Sequence, residues 1–250
     1  DAGEIGEVRH VEASYRQSWL VGKHWGDWRT EAMWLWRLSG KHGSKGVLGD
    51  VGIHILDFTT YAIGMMPVSL QARLKTFDKA EGGEIGEYPL DANDSASMQV
   101  EFENGALGTV TASQISHGRE NDLFIEIDGT KGSLQWRQEE PNQMMVRRNG
   151  EPHRLYTRDP NAPYMNASGK AACRLPSGHP EAFFEAFGNI YRAVYDNIIL
   201  RASGRPFERI DTVYPNINDG VEGMFFIQQC VTSSTEDGAW KPLHHKRARR

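Results

Sequence analysis

The stretch GVLGDVGIHILDFTTYAIG, from Gly46 to Gly64, decides how this sequence is interpreted. Apolar residues recur along it at intervals of four, three and four positions, which predicts a helix with one face in a core. These apolar residues are Val51, Ile55, Phe58 and Ala62. A second face carries ionisable side chains at Asp50, His54 and Asp57, spaced by four and then three residues. The stretch therefore predicts an amphipathic helix whose polar face is either solvated or a reaction site.

Asp50 and His54 are candidates for acid–base catalysis. A histidine titrates near neutral pH, and a carboxylate one turn away can bind a substrate hydroxyl or raise the basicity of the imidazole. The alternative is structural, because an acid near a helix N-terminus favours the helix dipole and a histidine can simply be hydrogen-bonded. Gly52, between the two, costs the helix about 1 kcal/mol and often marks close approach by another group. We name Gly52 as a candidate cofactor contact.

Composition and charge exclude several classes of protein. The chain has a net charge of −5 and no basic patch in its body, which argues against nucleic acid as a partner. The basic ending KPLHHKRARR is more typical of a solvated terminus than of a binding arm. No apolar run reaches the roughly 18 residues that a membrane span needs, and no signal peptide opens the sequence. We expect neither a nucleic acid nor a membrane as partner.

The two cysteines and the first residues bear on where the protein works and how it begins. Cys173 and Cys230 have neither the spacing of a metal site nor that of a disulfide scaffold, so a reducing, cytoplasmic compartment fits best. The opening DAGEIGEVRHVEASY is typical of the last turn of a helix followed by a strand. A natural chain seldom starts at the end of an element, so we expect that an N-terminal part has been cut away.

The order of elements predicts the fold class. A strand over residues 7–17 precedes a polar loop that holds five of the seven tryptophans, and the helix of the opening stretch follows. About six strands come next, with the glycine-bearing turns of hairpins at Glu103-Asn104-Gly105 and between residues 128 and 132. Two helices, 180–200 and 218–234, end the pattern. This order of strands and helices predicts an α+β fold, with an open and largely antiparallel sheet that carries helices on one face.

The sequence gives weak support to a metal site, a serine nucleophile or a dinucleotide site. Asp50, His54 and His179 could converge on a metal, but the chain has no pair of histidines on one helix and no cysteine pair, so we expect no metal. Neither a G-x-S-x-G elbow nor a G-x-G-x-x-G fingerprint occurs. The tryptophan loop and SHGREND, residues 116–122, could bind a sugar through aromatic faces and polar side chains; alternatively, the tryptophans only pin the loop to the sheet.

Five motifs in order resemble one known family. GVLGDVGIHILDFTTYAIG resembles the G-x-x-x-D-x-G-x-H-x-x-D signature of the glucose–fructose oxidoreductase / inositol dehydrogenase / MocA family. DAGEIGEVRHVEASY is similar to the strand that leaves the family's cofactor domain. FENGALGTVTASQ and IEIDGTKGSLQW resemble its sheet hairpins, and GHPEAFFEAFGNIYRAV and INDGVEGMFFIQQCVTSSTEDGAWKPL resemble its two C-terminal helices. The resemblance covers nearly the whole chain.

The resemblance implies a division of labour between two domains. Family members bind NAD or NADP in an N-terminal Rossmann domain and the substrate in a C-terminal α/β domain, and this chain resembles only the second. The catalytic lysine of the family, in an E-K-P motif of the cofactor domain, has no counterpart here. Asp50 and His54 match the family's catalytic pair, with His54 exchanging the proton of a substrate hydroxyl and Asp50 orienting that hydroxyl. The resemblance also implies substrate contacts at Gln17, Trp19, Arg119 and His179.

Residues 1–250 are therefore interpreted as one substrate-binding and oligomerisation domain, without its Rossmann domain, of an NAD(P)-dependent sugar or polyol dehydrogenase. Apolar residues alternate along the strands and can fill both faces of the sheet, so we expect a homodimer or homotetramer through the open sheet. Two alternatives remain. One is a non-catalytic sugar-binding or scaffolding module, and the other is a glycoside-cleaving relative that oxidises a sugar carbon transiently.

Overall fold

A computed structural model describes residues 3–204 and 214–243 of the chain. The strands are β1 (Val8–Gln17), β2 (Pro67–Lys75), β3 (Glu84–Ile85), β4 (Tyr88–Pro89), β5 (Ser95–Phe102), β6 (Leu107–Ser113), β7 (Asn121–Gly129), β8 (Ser133–Arg137), β9 (Gln143–Arg147), β10 (Arg154–Thr157) and β11 (Lys241–Pro242). The α-helices are α1 (Ala32–Leu35), α2 (Ile53–Ile63), α3 (Ala167–Ala172), α4 (Phe183–Ala202) and α5 (Ile217–Thr235). Most of the basic ending, residues 244–250, lies outside the described residues.

Nine strands form one sheet in the order β10-β9-β8-β7-β1-β6-β5-β2-β11. Neighbours are antiparallel except for β1 and β6, which run parallel. The predicted α+β class with a largely antiparallel sheet is thus confirmed. The strands do not follow one another in chain order across the sheet, since β1 lies between β6 and β7.

One face of the sheet carries the core. Alternate residues of the central strands are buried on this side, under α2 and α5. The core includes Val11 and Ala13 on β1, Met98 and Val100 on β5, and Ile125 and Ile127 on β7. α5 is anchored through Ser233, whose hydroxyl accepts a hydrogen bond from the backbone N–H of Ala72 at 2.8 Å. Its N-cap is Asn216, and Asp219 closes the capping box by accepting from the backbone N–H of Asn216 at 2.7 Å.

The other face of the sheet is polar, which corrects the expectation that apolar residues fill both faces. Gln71 donates to Gln99 across strands at 2.6 Å, and Ser69 donates to Glu101 at 3.2 Å. The buried Asp122 carboxylate accepts from Arg137 at 2.7 Å on both oxygens. An open antiparallel sheet with one polar face needs no apolar cover, since its outward side chains are solvated or paired.

Helix α4 differs from the expectation that the helices cover one face of the sheet. Asn197 is its only buried residue, and eight of its large apolar side chains are exposed, Phe184 at 88%. α2 and α5 therefore form the helical layer, whereas α4 packs little on the sheet.

The opening stretch forms a helix with an unexpected first turn. Residues Leu48–Gly52 are a π-helical turn that leads directly into α2, and the helix ends at Gly64, whose φ of +70° is left-handed. Val51 and Ile55 are buried as predicted, but Ala62 is exposed and Thr60 is buried instead. The hydroxyl of Thr60 donates to the carbonyl of Leu56 at 2.9 Å, so its burial leaves no unpaired polar group.

Candidate active site

Asp50 and His54 lie on successive turns at the start of the helix, above the carboxyl ends of β1 and β6. His54 is exposed and Asp50 is partly buried. The Nε2 of Gln114, which follows β6, donates to Asp50 Oδ2 at 2.6 Å. Arg37 Nε lies 3.7 Å from Asp50 Oδ1. The carboxylate of Asp50 is thus held from two sides, whereas the imidazole of His54, one turn later, is accessible to a ligand.

Arg37 connects the tryptophan loop to Asp50. Its guanidinium lies over the indole rings of Trp34 and Trp36, at 5.3 and 4.9 Å from their centroids. The ring quadrupole attracts the cation and limits where the side chain can point. Sequence analysis missed Arg37 and Gln114. Nothing in their spacing from the helix indicated them, although Arg37 stands in the loop that was singled out for its tryptophans.

Tyr15, near the end of β1, is a third residue that the sequence did not indicate. Its ring meets the imidazole of His54 edge to face, with centroids 6.1 Å apart. The phenol donates to Asn121 Oδ1 at 2.7 Å, and Gln17 Nε2 donates to the same oxygen at 2.8 Å. Gln17, a predicted substrate contact, therefore joins His54 in one cluster through Tyr15 and Asn121.

The Tyr15 phenol is held neutral. Burial raises its pKa above the ordinary value of 10.0, and the negative charge of Asp50 acts in the same direction. Hydrogen bonds with Gln138, Asn121 and Gln17 lower the pKa and oppose this effect, but burial is the larger cause. Around neutral pH, Tyr15 is thus a hydrogen-bond donor.

Two amide oxygens at the site have no hydrogen-bond partner among the described residues. Gln17 is 6% exposed and Gln114 is 1% exposed, and the Oε1 atom of each is buried without a hydrogen bond. A buried acceptor without a donor costs free energy, so each needs a further donor, such as an ordered water. Asp50 and His54 reach the surface and can hold a hydroxylated ligand and move a proton, while Tyr15, Gln17 and Gln114 are buried beside them.

The remaining predicted site residues lie elsewhere. Trp19 is 3% exposed and packs in a second apolar cluster with Leu20 and Trp28, so it offers no surface to a substrate. Arg119 Nη1 lies 3.1 Å from Asp122, whose side chain is on the sheet face opposite to Tyr15. His179 lines a cleft at the β9–β10 edge.

Gly52 is buried in the π-helical turn. A Cβ atom there would lie 3.0 Å from Cδ2 of Leu48, one turn earlier in the same helix. The close approach that the glycine indicated is thus made by Leu48, and a contact of Gly52 with a cofactor stays a prediction. Within the described ranges, no three histidine, cysteine or carboxylate side chains converge as metal ligands. In the same part of the chain, no helix is long and apolar enough to span a membrane.

Comparison with known proteins supplies the family. Residues 1–135 match the family model described as GFO/IDH/MocA C-terminal domain. An uncharacterized oxidoreductase, YfiI, of Bacillus subtilis strain 168 is 30% identical over 244 residues, which cover 96% of this chain and 58% of that protein. A levoglucosan dehydrogenase of Pseudarthrobacter phenanthrenivorans is 28% identical over 58% of this chain and 39% of that enzyme.

The fold matches solved structures as well. An inositol dehydrogenase homolog of Azotobacter vinelandii, solved with NADH and myo-inositol, aligns with a TM-score of 0.78 and 28% identity over 96% of this chain and 58% of that one. This chain thus spans less than two thirds of the length of these relatives. Together with the family model, which covers more than half of the sequence, these matches show that the chain belongs to the GFO/IDH/MocA family of oxidoreductases, through the C-terminal domain.

Proposed function

We propose that this chain is the substrate-binding and catalytic part of an NAD(P)-dependent dehydrogenase that oxidises a CH–OH group of a sugar or polyol. One observation carries the proposal: an exposed histidine stands one turn from a carboxylate that Gln114 and Arg37 hold in place. A fixed acceptor next to a free imidazole suits a substrate hydroxyl that must be oriented and then deprotonated.

The residues divide the work as follows. Asp50, which Gln114 and Arg37 hold in place, accepts a hydrogen bond from a neighbouring hydroxyl of the substrate and so orients the reacting hydroxyl towards His54. His54 takes the proton of that hydroxyl as general base. Tyr15 packs its ring edge against the imidazole and limits its rotation. Gln114 and Gln17 support the site from the buried side, Gln114 by its bond to Asp50 and Gln17 by its bond to Asn121, which also accepts from Tyr15.

NAD or NADP, when bound, would supply the acceptor for the hydride of the carbinol carbon. The exposed imidazole of His54 leaves this side of the site accessible to the reacting end of the cofactor. The rest of the dinucleotide would be held by a separate dinucleotide-binding domain. The relative solved with NADH and myo-inositol and the sequence match to a levoglucosan dehydrogenase support this proposal.

The test is the paired activity and stability of His54→Ala, made in a protein that joins this chain to a dinucleotide-binding domain. Formation of reduced nicotinamide is measured with polyols, aldoses and anhydrosugars and with both cofactors. We expect kcat to fall by about 10²–10⁴-fold, the usual worth of a positioned acid–base group. The melting temperature should move by less than about 2 °C, because the side chain is exposed.

His10→Ala is the matched control, since His10 is an exposed histidine on the polar face of the sheet. It should change neither kcat nor the melting temperature. A His54→Ala protein that is destabilised but turns over at a near-normal rate would show that the histidine is structural, and would refute the proposal.

A further inference from the structure

A buried ion pair lies at the start of β5, close to the candidate active site. Lys79 Nζ is 2.5 Å from Asp94 Oδ2, and the two side chains are 4% and 0% exposed. The N–H of Phe77 donates to the same carboxylate oxygen at 2.9 Å, and the ammonium of Lys79 donates to the carbonyl of Phe77 at 2.9 Å. Because removing two charges from water offsets most of their attraction, such a pair adds little stability by itself. The residues beside the pair therefore indicate what it does.

Asp94 lies directly opposite Gln114, the residue that anchors Asp50. The pairing of β5 with β6 begins at Ser95 and Ser113. It continues by one residue, since the N–H of Gln114 donates to the carbonyl of Asp94 at 3.0 Å. Opposite side chains on antiparallel strands point to the same face, with Cβ atoms about 4.5–5.5 Å apart. Asp94 is therefore the neighbour of the side chain that holds Asp50.

The residue before Asp94 holds the turn that carries Asp50. The carbonyl of Asn93 accepts the backbone N–H of Val47 at 2.7 Å, and the π-helical turn begins at the next residue. Gly46 makes this contact possible, because a Cβ atom there would lie only 2.5 Å from the carbonyl oxygen of Asn93. These two adjacent residues, Asn93 and Asp94, thus tie down both sides of the bond that anchors Asp50: the turn and the end of β6.

Two buried oxygens beside each other have no hydrogen-bond partner among the described residues. They are Oδ1 of Asp94 and Oε1 of Gln114. Because the two side chains are neighbours, one ordered water between them can donate to both oxygens. That arrangement keeps Oε1 of Gln114 on the side of Asp94 and leaves Nε2 facing Asp50, to which it donates at 2.6 Å. The reversed amide would turn an oxygen towards the Asp50 carboxylate and lose this bond.

We propose that the Lys79–Asp94 pair is a positioning device for Asp50. Asp94 sets the orientation of the Gln114 amide, and Lys79 holds the Asp94 carboxylate in place. Both side chains are buried, so they act through Gln114 and not on a substrate. The proposal rests on the proposed function for the catalytic role of Asp50, but the hydrogen bond that it concerns can be observed without substrate or cofactor.

Nuclear magnetic resonance of the isotopically labelled 250-residue chain tests the positioning role. The resonances of the Gln114 side-chain amide are identified by their absence in Gln114→Ala. With Lys79→Met and Asp94→Leu together, we expect these amide protons to exchange with water about tenfold faster, the worth of one hydrogen bond to a charged group. Apolar side chains often replace a buried ion pair without loss of stability, so this variant should fold.

A conservative variant should rescue the bond. With Lys79→Met and Asp94→Asn together, exchange of the Gln114 amide should stay slow, because the new amide group donates directly to Oε1 of Gln114. If the protein with Asp94→Leu does not fold, Lys79→Met with Asp94→Ala is measured in its place against the same expectation.

Arg158→Met with Glu181→Leu is the matched control, because it removes another largely buried ion pair, next to the edge strand β10. It should leave exchange of the Gln114 amide slow. Equal exchange in the unmodified chain and in the variant without the Lys79–Asp94 pair would refute the positioning role. Equally fast exchange in the control would refute it as well, since the effect would then be a general loss of stability.

Kinetics separates the positioning role from the proposed function. In the protein that joins this chain to a dinucleotide-binding domain, Lys79→Met with Asp94→Leu should lower kcat by about tenfold. Adding Gln114→Ala should lower it no further, because both changes break the same bond; independent losses that multiply would overturn the proposal. If amide exchange depends on Asp94 but the His54→Ala comparison fails, the positioning role stands and the proposed redox function falls.

Discussion

Replacing Tyr15 by phenylalanine removes one hydroxyl from the centre of the candidate site. The hydroxyl donates to Asn121 at 2.7 Å, and Tyr15 is only 8% exposed. Asn121 keeps its second donor, Gln17, so no buried acceptor is left unpaired. At pH 8 we therefore expect Tyr15→Phe to lower the free energy of unfolding by no more than about 0.5–1.5 kcal/mol, the net worth of one hydrogen bond.

Alkaline pH adds a second and more specific effect. Burial raises the pKa of Tyr15 in the folded chain, so above pH 10 the folded chain keeps a phenolic proton that the unfolded chain has released. Unfolding then releases that proton, and the free energy of unfolding falls as the pH rises. For one proton the slope is about 1.4 kcal/mol per pH unit between the unfolded and the folded pKa. Tyr15→Phe lacks this contribution, so its stability should fall less steeply above pH 10.

The assay is urea unfolding of the 250-residue chain and the variant at pH 8, 9, 10 and 10.5, followed by circular dichroism. The difference in unfolding free energy between the two proteins should be constant up to about pH 9 and should shrink above pH 10. Tyr61→Phe is the control, since Tyr61 is 71% exposed, and it should keep the alkaline slope of the unmodified chain. If Tyr15→Phe falls as steeply above pH 10 as the unmodified chain, the account of a buried, neutral phenol is wrong.

Two further predictions concern the sheet and the cysteines. We expect the chain to form a homodimer or homotetramer through the sheet face opposite to α2 and α5, where Leu107 is 54% exposed among polar side chains such as Gln71 and Gln99. Light scattering that shows a monomer at micromolar concentration would contradict the expectation. Burial raises the pKa of the Cys230 thiol, whereas Cys173 is partly exposed. A disulfide reagent at pH 8 should therefore label the thiol of Cys173 quickly in the folded chain, and Cys173→Ser should abolish this fast phase. Rapid labelling of both thiols would show instead that Cys230 is accessible.

Much of the fold followed from local patterns. The helix at Ile53–Ile63 and the left-handed Gly64 that ends it were predictable, because helix periodicity and C-capping depend on residues within one or two turns. The hairpin between β5 and β6 was predictable for the same reason, from Glu103-Asn104-Gly105. The π-helical turn was not, since no side-chain pattern distinguishes its spacing from that of an α-helix over five residues.

The α+β class, the main helices and hairpins, and a helix that presents Asp50 and His54 together all follow from local sequence patterns. The residues that surround this pair depend instead on how the chain folds. Gln114 reaches Asp50 across 64 positions of sequence, and Tyr15 meets Asn121 across 106. Periodicity and turn chemistry act between near neighbours along the chain, whereas these contacts depend on β1 lying between β6 and β7. The polar face of the sheet and the burial of Trp19 likewise depend on how the strands pair and on what packs against them. The covered side of a strand is determined by the layer packed on it and not by the strand itself.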